Sequence, residues 1–433
     1  VGGSTRWRCM GMKTMRSRVI AAVVLLVPAL AASPALPARA AADQTQISHV
    51  VVLMQENRSN DSYFGQLHFE GQRQSQPEPR GASNPDPTNP DAPPIKVFHQ
   101  THYCSVSDLN HSWTGVHNEI DGGAMDGFTA ANVDPKDPNG SRAMGYYDQG
   151  DLPYYYALYN TFATSDRYFA SVPGPTFPNR EYLLAGTSFG HIRNDLPPAG
   201  LPGPSIFNLL DQAGITWKDY FVDVPSSFLF TYPRVHAAGH IVPVSQYFAD
   251  AAAGKLPQVA FVDPRFGGST NVESDEHPDA NVQVGEKFVS SVIQALFNSP
   301  DWSSSAFFQT YDEHGGFYDS VAPPAAVVPD DIAPRLGPGD VQAGFDMYGV
   351  RVPAVVVSPF SRPHSVSHAV NDHTSILRFI ETRFNLPALT RRDAAANPML
   401  EFFDFSHPSF ATPPSLPAAR LNLNEVAFCN TVT

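Results

Sequence analysis

Two acidic pairs stand at the ends of apolar runs: Glu56-Asn57 after residues 50–54, and Asp312-Glu313 after residues 306–311. Val50, Val51, Val52 and Leu53 form an unbroken apolar run, which suits a strand buried on both faces of a parallel sheet. In such a sheet both pairs reach the same carboxyl edge, where open α/β sheets bind their ligands. Gly315 and Gly316 follow the second pair and allow backbone or ligand to approach closely. Oxygen donors gathered in this way suggest a site for a hard cation. Without one, Asp312 and Glu313 would be like charges in a dry cleft, with one pKa sharply raised. The alternative is two unrelated helix caps.

A hydroxyl nucleophile is available at Thr176, in the run Pro173-Gly174-Pro175-Thr176-Phe177-Pro178. Pro178 reads as a first-turn proline, and 181–185 carry a helix to Gly186, so Thr176 sits at a helix start. A plain capping role is the alternative, but helix-start amides attract phosphate and stabilise an alkoxide, which favours the functional reading. Two histidines lie among polar neighbours: His111 between Asn110 and Ser112, and His277 within Glu273-Ser274-Asp275-Glu276-His277-Pro278.

The elements that must position these groups follow from periodicity. Strands are expected near 215–222, 259–262, 306–311 and 352–357 in addition to the first. Helices are expected at 152–162, 205–213, 244–253, 281–299 and from Asp372 to about 384. Strands separated by helices predict a doubly wound, mostly parallel α/β sheet with helices on both faces. Two Pro-rich stretches, 66–100 and 321–339, read as long loops, the first expected to lie over the end of the sheet that bears Glu56.

Lys13, Arg16 and Arg18 precede an apolar run at 19–32 and an Ala38-Arg39-Ala40 cleavage pattern, which predicts a secretory signal peptide within residues 1–42 and a secreted product. Met12 or Met15 is the expected initiator. Residues 43–433 are expected to form a single catalytic domain. Arg6, Arg8, Lys13, Arg16, Arg18 and Arg39 would leave with the leader and no acidic residue would, so the mature chain is more acidic than the formal −14 of the whole. Such a balance disfavours nucleic acid as a partner. No later run is long enough for a transmembrane helix, leaving at most transient contact with a lipid surface. Cys104 and Cys429 are expected to form a bridge in an exported protein.

QENRSNDSYFG, PGPTFPNR, DEHP, TYDEHGGFYD and NDHTSILRFIE, in this order and spacing, resemble the bacterial and plant phosphoesterase family. That family includes non-specific phospholipases C and a secreted acid phosphatase, and the resemblance implies an alkaline-phosphatase-like core. It implies that Glu56, Asn57, Asp312 and Glu313 hold one divalent metal ion, with Thr176 as nucleophile and further ligand. His111 and His277 would hold phosphate and serve the leaving group, with His240 a third. His314 and His373 lie in the motifs without an assigned role. Asn60 and Ser62 depart from the usual pattern, which has an aromatic residue and a histidine there. The implied reaction is in-line attack by Thr176, a phosphothreonine intermediate, protonation of the leaving oxygen by a histidine such as His277, and hydrolysis by water. Phospholipids are the expected substrates. Soluble phosphomonoesters cleaved by an acid phosphatase are the alternative, with the loops at 66–100 and 321–345 deciding between them. A secreted binding protein with a relict site is the reading from another class.

Overall fold

The computed structural model describes residues 44–432, so the expected signal peptide lies outside the described residues. The central sheet contains β1 (His49–Gln55), β2 (Ala163–Ser165), β3 (Trp217–Phe221), β4 (Ile241–Pro243), β5 (Val259–Asp263), β6 (Ser305–Tyr311), β7 (Ala354–Val357) and β8 (Val366–Ser367). Their order across the sheet is β8-β2-β7-β6-β1-β5-β3-β4. β1 lies in the middle, parallel to both β5 and β6, and its residues Val50 to Gln55 are buried one after another. That continuous burial requires cover on both faces, as the unbroken apolar run predicted.

Only β7 runs against the other strands. A parallel return needs a crossover, and no helix lies between β6 and β7. The intervening chain stays at the edge where β6 ends, so β7 enters from that edge and runs back.

The helices pack in two groups. One contains α1 (Pro153–Thr161), α2 (Val244–Ala253) and α3 (Val282–Phe297); the other is built on α4 (Thr176–Ala185) and α5 (His373–Phe384). In α4, Pro175 is the N-cap and Pro178 falls in the first turn, where its missing N–H costs nothing. Gly186 ends the helix with φ 72°. Asp372 caps α5 through a reciprocal box with Ser375. A last helix, α6 (Leu423–Val432), is tied back by the Cys104–Cys429 disulfide.

The Pro-rich stretch 66–100 meets the carboxyl edge of the sheet at Asp166, which follows β2. It is fastened at Asn160 and Asp166 and, through Asn84, at Met125 and Phe128, where it forms short strand pairs. Among the described residues no helix is long and apolar enough to cross a membrane.

Candidate active site

The register of β1 against β6 pairs Gln55 with Tyr311, and the Asp312 amide continues the ladder by donating to the Gln55 carbonyl at 3.1 Å. The two acidic pairs therefore leave adjacent parallel strands side by side. Asn57 turns out of β1 with φ 62°, a left-handed conformation that Asn tolerates better than most residues. Gly315 passes so close that a Cβ there would stand 2.4 Å from the Asn57 carbonyl oxygen, and one on Gly316 would meet Leu109 at 2.6 Å. These glycines let the segment leading to His111 settle onto the strand ends.

Asp312 accepts hydrogen bonds through Oδ1 from the amides of Asn57 (3.3 Å) and Glu313 (2.7 Å). Its Oδ2 accepts from Arg180 Nε at 3.2 Å, and Arg180 Nη2 reaches Glu56 Oε1 at 3.3 Å. Arg180 Nη1 also lies 3.8 Å from Asp263 Oδ1 at the end of β5. One buried guanidinium thus joins the ends of three neighbouring strands to the first turns of α4. Burial, and then the neighbouring Asp312, push Glu56 up to about 8, with Arg180 opposing. Burial and Asp312 hold Glu313 well above the usual carboxylate range.

Glu313 Oε1 and both side-chain atoms of the Asn57 amide are buried without a partner. Buried polar atoms are normally satisfied, so orphaned oxygens beside two further carboxylates fit a hard divalent cation. Glu56, Asn57, Asp312 and Glu313 are the residues that would hold it. A second grouping, Asp108, His111 and His277, also brings potential ligand atoms within 4.8 Å of one another.

Thr176 is the first residue of α4 and lines a cavity of about 460 Å³ together with Glu56, Arg180, His111 and His277. His111 Nε2 stands 4.0 Å from Glu313 Oε1, and burial lowers its pKa. The His111 and His277 rings are 5.8 Å apart, nearly perpendicular. His277 bonds Asp279 through Nδ1 at 2.8 Å, leaving Nε2 directed toward Asp108 at 3.7 Å. Burial disfavours its charge, but the Asp279 hydrogen bond and the charges of Asp108 and Glu56 outweigh that and raise His277 to about 10.

His240 is placed elsewhere. It precedes β4, which runs parallel to β3, so it lies at the amino edge while the acidic pairs occupy the carboxyl edge. There it stacks on Trp217 at 4.2 Å and bonds the Trp217 carbonyl. His373 donates Nε2–H to the Asp312 carbonyl at 2.7 Å; burial holds it down at about 4, so Nδ1 is free to accept from Tyr168. His314 bonds Glu119 at 2.8 Å. Both are supports beneath the site. Asn60 and Ser62 are buried in the short helix Asn60–Phe64 after β1, away from the cavity lining.

The model of the Phosphoesterase family matches residues 47–387. The chain belongs to the Phosphoesterase family. It is similar to the non-specific phospholipase C1 of Arabidopsis thaliana, 33% identical with 88% of this chain and 75% of that protein covered. Phospholipase C B of Mycobacterium tuberculosis is 32% identical, with 87% and 81% covered. Among solved structures the likeness is looser: the lipoteichoic acid synthase LtaP of Listeria monocytogenes aligns with a TM-score of 0.40 at 10% identity, covering 84% of this chain and 81% of that one.

As a member of the Phosphoesterase family the chain is a hydrolase of phosphate esters. Arg180 and Asp279 are the site residues that sequence reasoning left without a role. Arg180 stands four residues after Thr176, the spacing that puts two side chains on one helix face, and this was the available signal. Asp279 had only its place two residues after His277. The cavity wall includes Asn194, Leu196, Val224, Phe228, Leu229 and Phe266, and neither 66–100 nor 321–345 supplies it.

Proposed function

We propose that this hydrolase is an exported phospholipase C that cleaves phospholipids through Thr176, with one divalent metal ion held by Glu56, Asn57, Asp312 and Glu313 and completed by Thr176. The observation that carries the reading is the cavity: Thr176 opens α4 beside both histidines, under a wall of Phe177, Leu196, Phe228, Leu229 and Phe266. The lining thus combines polar groups with apolar surface, as an ester between a phosphorylated head and a diacylglycerol requires. The leader at 19–32 and the cleavage pattern at 38–40 support export.

The metal, when bound, supplies Lewis-acid charge to a phosphoryl oxygen. The chain does the rest. Thr176 Oγ1, held as the alkoxide by the amides of the first turn of α4, attacks phosphorus in line, and the bond from phosphorus to the diacylglycerol oxygen breaks. His277, protonated at neutral pH and braced by Asp279, gives that oxygen its proton. Water then attacks phosphorus from the opposite side, the bond from phosphorus to Oγ1 breaks to release Thr176 as the alkoxide, and neutral His277 takes the proton of the attacking water. His111 stands over Glu313, where it can bond an equatorial oxygen.

Purified protein is expected to hydrolyse phosphatidylcholine faster than a soluble aryl phosphate, and a chelator to abolish both activities. Thr176→Val should lower turnover by a factor of about 1,000 or more, each ~1.4 kcal/mol of barrier being tenfold, while Thr176→Ser keeps measurable activity. Acid quenching during turnover should leave phosphate on the Thr176 peptide. Near-normal rates in Thr176→Val would make water the nucleophile, and preference for the aryl phosphate would make the protein a phosphatase.

A further inference from the structure

Ser226 lines the cavity in the segment that also supplies Val224, Phe228 and Leu229 to its wall. The Ser226 hydroxyl donates to Asp263 Oδ1 at 2.6 Å and accepts from Arg180 Nη1 at 3.1 Å. Its amide bonds the other Asp263 oxygen, and the Ser227 amide donates to Asp219 Oδ2 at 3.0 Å. Asp219 and Asp263 are buried on the neighbouring strands β3 and β5, so these are charge-assisted bonds shielded from water. Arg180 commits its other nitrogens to Asp312 and Glu56, and its guanidinium carbon lies 4.8 Å from the ring centroid of Phe266, a further lining residue. Asp223 joins the two wall segments to each other by accepting the amides of Phe266 at 3.1 Å and Gly267 at 3.0 Å. Ser226 joins them to the strand ends. One hydroxyl therefore links the apolar wall, through Arg180, to two of the carboxylates that would hold the metal.

In-line displacement needs phosphorus within about 3–3.5 Å of Thr176 Oγ1. Contacts made by parts of a substrate remote from the reacting bond can be used to hold it there. An apolar alcohol lying on a wall that is fixed to the metal-holding carboxylates is held at a set distance from the reacting phosphorus. A wall free to drift loses that alignment for a large apolar alcohol and loses little for a small polar one. We propose that Ser226 is a positioning residue that registers the apolar wall to the catalytic groups and so sets the preference for esters of a large apolar alcohol. The proposal rests on the phospholipase reading and adds to it the residue through which acyl chains contribute to the rate.

The test compares two dissolved substrates of the whole protein: short-chain phosphatidylcholine below its micelle threshold, and glycerophosphocholine, which presents the same bond and head without acyl chains. Wild-type protein should favour the acylated ester. Ser226→Ala should lower kcat/KM for the acylated ester about tenfold more than for glycerophosphocholine, part of the roughly hundredfold that a 1 Å misplacement can cost. Ser226→Thr, which keeps the hydroxyl, should restore most of that ratio. Should Ser226→Ala unfold too readily for assay, Ser226→Cys keeps the volume with a weaker donor and gives the same readout. A general loss of structure lowers both substrates together, so the ratio separates positioning from stability. An equal fall for both esters, or wild-type protein indifferent to the acyl chains, would overturn the role of Ser226 and leave the phospholipase reading standing. Wild-type protein that cleaves neither choline ester overturns the phospholipase reading, and the proposal with it.

Discussion

His277 is an acid at neutral pH because of its acidic neighbours, the Asp279 hydrogen bond foremost. Burial works against its charge, and the Asp279 hydrogen bond at 2.8 Å, with Asp108 and Glu56, reverses the balance and carries it to about 10. A group that donates a proton in the slow step works in its protonated form, so the rate should hold as pH rises and fall only as pH passes the pKa. Asp279→Asn keeps a hydrogen-bonding partner and removes the charge, leaving burial less opposed. The alkaline limb of kcat should then move down by about one pH unit or more, the usual effect of one close opposite charge. A pH–rate profile of the two proteins decides it. An unmoved limb would show that another group donates the proton.

At the scale of elements, the loop that carries Asp275 and His277 is held by the residue between them. Glu276 accepts from Gln55 at the end of β1 (2.9 Å), from Tyr63 (2.8 Å) and from Tyr311 at the end of β6 (2.8 Å), and also bonds Tyr155 in α1. It lies against Gly285 of α3, where a Cβ would stand 2.1 Å from Glu276 Cγ. Alanine in place of glycine inside a helix ordinarily stabilises by about 1 kcal/mol. Here it would dislodge a carboxylate from several charge-assisted hydrogen bonds, each worth about 1.5–3 kcal/mol. The loss exceeds the gain, so Gly285→Ala should destabilise the fold by about 2 kcal/mol or more and depress activity through the displaced His277 loop. Thermal or denaturant unfolding and a steady-state assay measure the two effects. A stabilised variant would mean that Glu276 moves aside without cost.

The same loop is also held from the far end of the chain. The disulfide joins Cys104 to Cys429 across 325 residues, and α6 adds bonds from Asn271 to the Val426 carbonyl (2.9 Å) and to Asn430 (2.8 Å). His102 stacks on Phe428 at 3.7 Å, and the Ser105 amide bonds the Pro278 carbonyl at 2.8 Å. α6 therefore clamps the two segments that lead to His111 and His277. A bridge closing so long a loop removes entropy from the unfolded chain, typically worth about 2–4 kcal/mol. Reductant should lower the unfolding midpoint of wild-type protein to that of Cys429→Ser and leave the variant unchanged. Equal midpoints for oxidised wild type and the variant would show that α6 holds through its side chains alone.

Local pattern was enough to read the strand ends, the helix start and the element order. An unbroken Val50–Leu53 run means two covered faces, and a proline-fixed turn before 181–185 means a helix beginning at Thr176; both signals lie within about ten residues of chain. The bridge between Cys104 and Cys429 was readable for a different reason, since these are the two cysteines after residue 42. Strand order and direction have no such local record, and they decided the rest. β4 joins the sheet parallel to β3, so His240 falls at the amino edge, and a loop without a helix sends β7 back against β6. Arg180 acquires its meaning only where β1, β5 and β6 end together, because a guanidinium takes its role from carboxylates 83 to 132 residues away in sequence. The wall of the cavity includes 224–229 and 266 because those loops leave the carboxyl ends of β3 and β5 beside Glu56 and Asp312, while no residue of 66–100 lines it.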